Sequence, residues 1–408
     1  CVCTLAPSNL APMQLSLPRT ILVGGGTVRK IGSVLQSMRL SRPLIVADPF
    51  LASPESGAVS AVCAALGQSH VKSFDVFSDT IPDPTTESVS RCVDALAARN
   101  YDCVVALGGG SPIDTAKAAA MLHTHGGVMR DYKAPFLMDE PSMPIIAIPT
   151  TSGTGSEATK VTIITDSATD EKMLCVGVAY LPIAAILDYE LTLTKPFRLT
   201  ADTGIDAVCH AMEAFVSAKA NPFADGLALS AMEKLGGALY TACHQPSDAV
   251  AREAMLLGSC QAGMAFSNSS VTLIHGMSRP LGARFHIPHG MCNAMLMPTC
   301  TGFGADGAVK RYATAARTLG LCDEGAADAD AAATIPVALQ RVADDLAVPT
   351  LDGFGVDEAV FRRAVPAMAD DALASGSPGN NPIVPDKAQI EALYHRIWDE
   401  GVQRENAA

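Results

Sequence analysis

Apolar positions follow two different rhythms along this 408-residue chain. In the first half, short β-branched and aliphatic runs alternate with stretches of helical character. The runs are Thr20-Ile-Leu-Val, Leu44-Ile-Val-Ala, Val71-Lys-Ser-Phe-Asp-Val-Phe, Cys103-Val-Val-Ala-Leu, Ile145-Ile-Ala-Ile and Ala184-Ala-Ile-Leu-Asp. That alternation predicts a mostly parallel α/β sheet. Near residue 190 the character changes, and alanine, leucine and methionine dominate Phe223 to Leu239, Ala249 to Phe266 and Ala329 to Leu346. The expected organisation is an α/β domain over 1–190 and a helical domain over 191–408. The stretch 323–328 reads as an exposed connection, Arg404 to Ala408 as a frayed end, and no internal repeat is visible.

Composition narrows the class. With 49% hydrophobic residues the chain can build two cores. The net charge of −13, with no Lys/Arg cluster, argues against a nucleic-acid partner. No apolar run approaches the roughly 20 residues of a membrane helix, and the N-terminus lacks a basic-then-apolar leader. The first residue is Cys1, as in a processed chain or a mature lipoprotein, and nothing else points to the lipoprotein. Twelve scattered cysteines without a CxxC read as reduced thiols in a soluble cytoplasmic protein.

The densest chemistry lies between Gly204 and His289. Asp206 and His210 are four residues apart in an alanine-rich stretch, which puts them on one face of a helix. His275 and His289 cannot share an ion along one straight helix, because fourteen residues would part them by about 21 Å. Pro280, Gly282, Pro288 and Gly290 supply breakers, so one helix is expected to end after His275 and another to begin near His289. A carboxylate and three imidazoles suit Fe(II) or Zn(II) better than calcium or magnesium. The competing reading is four unrelated polar residues. Against it, three of only nine histidines, His275, His286 and His289, fall within fifteen residues. Cys209 and Cys292, beside the candidate ligands, are expected to be sensitive to oxidation.

Two loops look built for phosphate. The run ending at Leu107 enters Gly108-Gly109-Gly110-Ser111-Pro112 and then a helical register, which lets the backbone approach an anion and aims free amides at it. Ile145 to Pro149 empties into Thr150-Thr151-Ser152-Gly153-Thr154-Gly155-Ser156-Glu157. Hydroxyls and amides at two strand ends suit a dinucleotide, although neither loop carries GxGxxG. Asp48, at the end of the Leu44 run, is placed to accept ribose hydroxyls and to repel an extra phosphate, which favours NAD over NADP. Its other reading is a turn-forming Asp before Pro49. Gly24-Gly25-Gly26 reads as a turn only.

These segments together resemble the iron-containing (group III) alcohol dehydrogenases, which include lactaldehyde/propanediol oxidoreductases. The resemblance covers nearly the whole chain. It rests on Gly108 to Lys117, Pro149 to Glu157, the Asp206/His210 pair, and His275-Gly-Met-Ser-Arg-Pro-Leu-Gly-Ala283 continuing to Pro288-His-Gly290. It implies a dinucleotide-binding α/β domain and an all-α metal-binding domain of the dehydroquinate synthase-like superfamily, with a cleft between them. It also implies Asp206, His210, His275 and His289 as metal ligands, Gly110, Ser111, Thr150, Thr151, Thr154 and Lys172 beside the cofactor, and a homodimer.

The implied reaction exchanges hydride between nicotinamide C4 and a small primary alcohol or its aldehyde, whose oxygen an ion would polarise. His286, three residues before a ligand, is the candidate proton shuttle; a surface loop histidine is the alternative. Many members of the family carry a histidine where this chain has Arg279, and an arginine cannot accept a proton at neutral pH. Arg279 has three open roles: clamping a substrate anion, touching the cofactor, or pairing with a structural acid. The first would make the enzyme a hydroxy-acid or semialdehyde dehydrogenase. A dehydroquinate synthase-like lyase would need more basic residues near the metal segments than Arg279 and Arg284.

Overall fold

The computed structural model describes residues 12–407. The expectations about the leader and Cys1 fall outside the described residues.

Among the described residues eight strands form: β1 (Thr20–Val23), β2 (Pro43–Val46), β3 (Asp75–Phe77), β4 (Cys103–Gly108), β5 (Ile145–Pro149), β6 (Val161–Thr165), β7 (Lys172–Val176) and β8 (Ala184–Leu187). Six of them make one sheet in the order β1-β8-β5-β4-β2-β3. Every pair in it is parallel. Each of the six apolar runs supplies one of these strands. The central β4 and β5 are buried at every position, which is why they read as unbroken apolar runs without alternation. The Val71 run shortens to Asp75–Phe77 because its first residues approach the sheet as a loop. β6 and β7 pair antiparallel in a separate hairpin, from Val161 opposite Val176 to Thr165 opposite Lys172. Its burial alternates residue by residue, as expected of a ribbon with one covered face.

β4 and β5 are direct neighbours, with Gly108 in register with Pro149. The two loops therefore leave the sheet side by side, and Thr150 N donates to Gly108 O at 3.0 Å. Beyond β4 the helix Gly110–His125 starts inside the glycine run.

From Phe197 onward the chain is helical and shares one large core. The segments expected from composition appear as Pro222–His244, Ala249–Ser267 and Asp328–Asp345. Local chemistry starts the first two: Asn221 accepts from Ala224 N and Asp248 from Ala251 N. Residues 323–327 lie between helices and are largely exposed, and Asp328 opens the next helix. Of the stretch expected to fray, Arg404 to Ala407 continue the last helix and Arg404 pairs with Asp344, while Ala408 lies outside the described residues. No helix of the described residues is long and apolar enough to cross a membrane.

The chain turns between His275 and His289 as expected, but past the breakers Pro280 and Gly282. Helix Leu273–Phe285 passes through Pro280 and ends only at His286, which adopts left-handed φ 54 and ψ 32. Proline at this point forfeits one hydrogen bond without ending the helix. Pro288 then caps a new helix that begins at His289.

Candidate active site

Helix Phe197–Val216 is buried almost all round from Thr200 on, so its polar residues cannot be solvated surface. Asp202, Asp206, His210 and Glu213 recur every three or four residues and share one face. Asp202 pairs with Arg198 in the same helix. Gly290 allows the 289–304 helix to seat on it, because a Cβ there would lie 2.5 Å from Asp202 O. That close approach brings His289 to Asp206.

Asp206, His210, His275 and His289 each offer one ligand atom, and the four atoms lie within 4.8 Å of one another. Asp206 Oδ1 is 3.7 Å from His210 Nδ1, 3.5 Å from His275 Nε2 and 3.8 Å from His289 Nε2. His289 is the most open, with 33% of its side chain exposed. The His210 ring stacks between Phe266 and His275 at 4.4 Å from each.

The electrostatics suit a cation. Burial opposes ionisation of Asp206, but His210 foremost among its neighbours holds the carboxyl well below the usual carboxylate range. Burial pushes His210 down to about 4 and His289 down to about 3, which leaves their rings neutral. His210 Nδ1 is buried with no hydrogen-bond partner. An unpaired imidazole nitrogen beside a carboxylate and two further imidazoles fits a borderline divalent ion.

Two supporting residues escaped the sequence reading. Glu213 accepts from Thr272 Oγ1 and Ile274 N, both at 2.7 Å, and faces His275 Nδ1. One carboxylate therefore satisfies the start of the 273–285 helix and fixes the ring whose Nε2 faces Asp206, a common support for a metal-binding histidine. Despite burial, Glu213 holds His275 up at about 9. The signal was its spacing, three residues after His210. The other is Asn293, four residues after His289, whose Nδ2 lies 2.6 Å from Asp206 Oδ1.

A cavity of about 510 Å³ joins this cluster to the phosphate loops. Gly110, Ser111, Thr154, Lys172, Arg279 and the four candidate ligands all line it. Gly109, Thr150 and Thr151 stand behind that wall: Thr150 is buried, and Thr151 packs against Gly109. Lys172 Nζ pairs with Asp83 at 2.9 Å. Asp48 sits at the C-terminal end of β2 and caps the short helix after it by accepting from Leu51 N at 2.8 Å, so it does form the turn. Gly24 to Gly26 form a turn, tied down by Asp188.

Three expectations change. His286 is exposed and is not among the residues lining the cavity, so the surface-loop description fits it. Arg279 donates to Ser377 Oγ at 3.1 Å, its Nε has no partner, and it makes no ion pair with an acid among the described residues. No acid touches it, although the buried Glu213 acts on it through space. Cys209 and Cys292 are buried, which pushes the first thiol well up and the second to about 12; so little thiolate leaves them poor targets for oxidation.

The loops are held by a buried staple. Lys117 Nζ donates to Ser156 Oγ at 2.9 Å, Thr159 Oγ1 at 3.0 Å and Val161 O at 2.8 Å. Asp114 accepts from Ser156 Oγ and Ile163 N. The Asp and Lys of the first motif thus bind the second loop and the hairpin. Glu157 lies beside them, its Oε1 unpartnered, and burial pushes it up to about 7 from 4.5. Its contribution to stability is full below about pH 4.5 and is lost as pH rises through about 7. Lys117, lowered by burial to about 8 from 10.5, acts only above that window. Glu157→Gln should therefore flatten the decline, and thermal melts of both proteins at about pH 5 and about pH 7.5 check it; an unchanged slope would exclude Glu157 as the source.

Comparison with known proteins agrees with this geometry. The profile of iron-containing alcohol dehydrogenases matches residues 18–189, and that of the Fe-containing alcohol dehydrogenase family, C-terminal, matches 200–398. The NAD-dependent methanol dehydrogenase of Bacillus methanolicus is 35% identical over 92% of this chain and 97% of its own. The 1,3-propanediol dehydrogenase of Klebsiella pneumoniae is 32% identical over 94% and 98%. A crystal structure of a 1,3-propanediol oxidoreductase superposes with a TM-score of 0.89 at 30% identity, covering 95% of this chain and all of that one. On its profiles, its relatives and its fold, the chain belongs to the iron-containing alcohol dehydrogenase family.

Proposed function

We propose that this protein is a metal-dependent NAD(H) alcohol dehydrogenase and aldehyde reductase acting on a small primary alcohol or its aldehyde. The observation that carries the reading is one cavity lined both by Gly110 and Ser111 and by Asp206, His210, His275 and His289. A dinucleotide held by the loops and a substrate at the ligand cluster would meet there.

Gly110 and Ser111, at the start of the 110–125 helix, present free amides to the pyrophosphate. Gly109, Thr150 and Thr151 shape that cradle from behind, while Thr154 and Lys172 line its path to the ligand cluster. Asp48 offers its remaining acceptor capacity to the ribose, which selects NAD over NADP. Fe(II) is the assigned ion, with Zn(II) the alternative; when bound it polarises the substrate oxygen. Asp206 supplies the negative charge that offsets it. Glu213 and the stacked ring of His210 keep the imidazoles oriented. His286 is given no role in proton transfer. The protein is assigned to the cytoplasm as a homodimer.

The hydroxy-acid or semialdehyde alternative is not favoured, since the two relatives above are named for methanol and 1,3-propanediol. Metal-stripped protein reloaded with Fe(II) or Zn(II) should oxidise NADH, followed by absorbance, in the presence of plain aldehydes. Preference for matched aldehydes with a terminal carboxylate would revive the alternative and make Arg279 its clamp. No oxidation under either loading would end the redox assignment.

A further inference from the structure

Asp83 lies in the loop between β3 and the helix Thr86–Ala97, and its carboxylate accepts from Lys172 Nζ at 2.9 Å beside the cavity that both residues line. Lys160, Lys219 and Arg279 line the same cavity, and none of them forms an ion pair among the described residues. Lys172 is therefore the cavity cation whose charge an acid partly cancels. Backbone contacts already hold the two segments together: Thr165 N donates to Pro84 O at 2.8 Å, Thr85 bridges to Thr165, and Ser167 N donates to Thr86 Oγ1 at 3.2 Å. The Asp83 side chain is 69% exposed, so its ion pair adds little cohesion to that seam. What it places there is a charge.

Charge on Lys172 is felt by His289, and charge on both partners is felt by Cys292, three residues further along the same helix. The pair thus stands toward the ligand-cluster end of the cavity, where a nicotinamide exchanging hydride with a substrate would lie. A dinucleotide changes charge there as it reacts. The oxidised form has a cationic ring and the reduced form a neutral one on the same pyrophosphate, so the reduced form is the more negative. A carboxylate nearby favours the oxidised form, whereas a lone lysine would favour the reduced one.

We infer that Asp83 biases the site toward the oxidised dinucleotide: paired with Lys172, it tempers that lysine's attraction for NADH and so favours release of NADH. The inference rests on the dinucleotide reading above. Asp83 has left-handed φ 48, which asparagine adopts as readily as aspartate, so Asp83→Asn removes the charge without added backbone strain. Full-length protein is titrated with NADH by fluorescence and with NAD by calorimetry. Asp83→Asn is expected to tighten NADH by about threefold or more and NAD by less, so the ratio of the two dissociation constants shifts. The shift should shrink as salt rises from about 0.05 M to about 0.5 M, because exposed charges are screened. A merely structural role would move both dinucleotides alike and ignore salt. Circular dichroism checks the fold, and Asp83→Gly, which also accepts this φ, replaces the asparagine variant if that one does not fold. An unchanged ratio in a folded variant overturns the inference. Wild-type protein that binds neither dinucleotide would instead remove the cofactor reading itself.

Discussion

Asp206→Ala is expected to abolish turnover and metal uptake together. Asp206 Oδ1 is within 3.8 Å of a nitrogen of each of the three histidines, so it is the common member of the cluster. Without it, the site keeps its three imidazoles and loses the carboxylate among the four ligands that offsets a divalent cation. Altering only a supporting residue of a metal site costs about 10–100-fold in affinity or activity. Glu213→Gln should fall in that range, and removing Asp206 should exceed it. Metal content by atomic absorption and NADH oxidation with a plain aldehyde measure both effects. An Asp206→Ala protein that keeps a stoichiometric ion and turns over would show that the four residues are not the metal site.

A comparably large effect is expected on folding from Gly155→Ala. Gly155 has φ +60, and a Cβ there would lie 2.5 Å from Gly263 Cα, backbone against backbone. This contact seats the second phosphate loop on helix Ala249–Ser267 and so joins the sheet to the helical half. Left-handed strain and overpacking together should cost on the order of 2–5 kcal/mol, measured by urea denaturation. NAD binding, followed by fluorescence titration, should weaken as the loop shifts. Two controls separate the causes. Gly263→Ala meets Gly155 O at 2.7 Å, whereas Gly57→Ala has φ +66 but nothing within 4 Å. If the Gly57 control loses as much as Gly155→Ala, the loop contact contributes nothing beyond backbone strain.

Much of this was legible because short-range order is written in composition and spacing. The six apolar runs became the six sheet strands, and the alanine-rich segments became helices. Asp206 and His210 fell on one face because four residues make about one helical turn. Glu213 and Asn293 obeyed the same spacing, three and four residues from assigned ligands, but a Glu or Asn on a helix carries no sign of what faces it. The strands of the β6–β7 hairpin are only five residues each and follow the hydroxyl-rich loop, so their runs did not stand out as strands.

What the sequence determined by itself was therefore local: the two halves, the elements, the glycine and hydroxyl loops, the candidate ligands and the family resemblance. Tertiary structure decided the rest, because the deciding contacts join residues far apart in the chain. The pairing of β4 with β5 set the two loops side by side. The hydrogen bond from Asn293 to Asp206 spans 87 positions, and that from His275 to Glu213 spans 62. Likewise, His286 faces outward, Cys209 and Cys292 are sealed, and Arg279 lines the cavity and donates to Ser377. Exposure and partnership are properties of packed surfaces, and no periodicity of 3.6 or 2 encodes them.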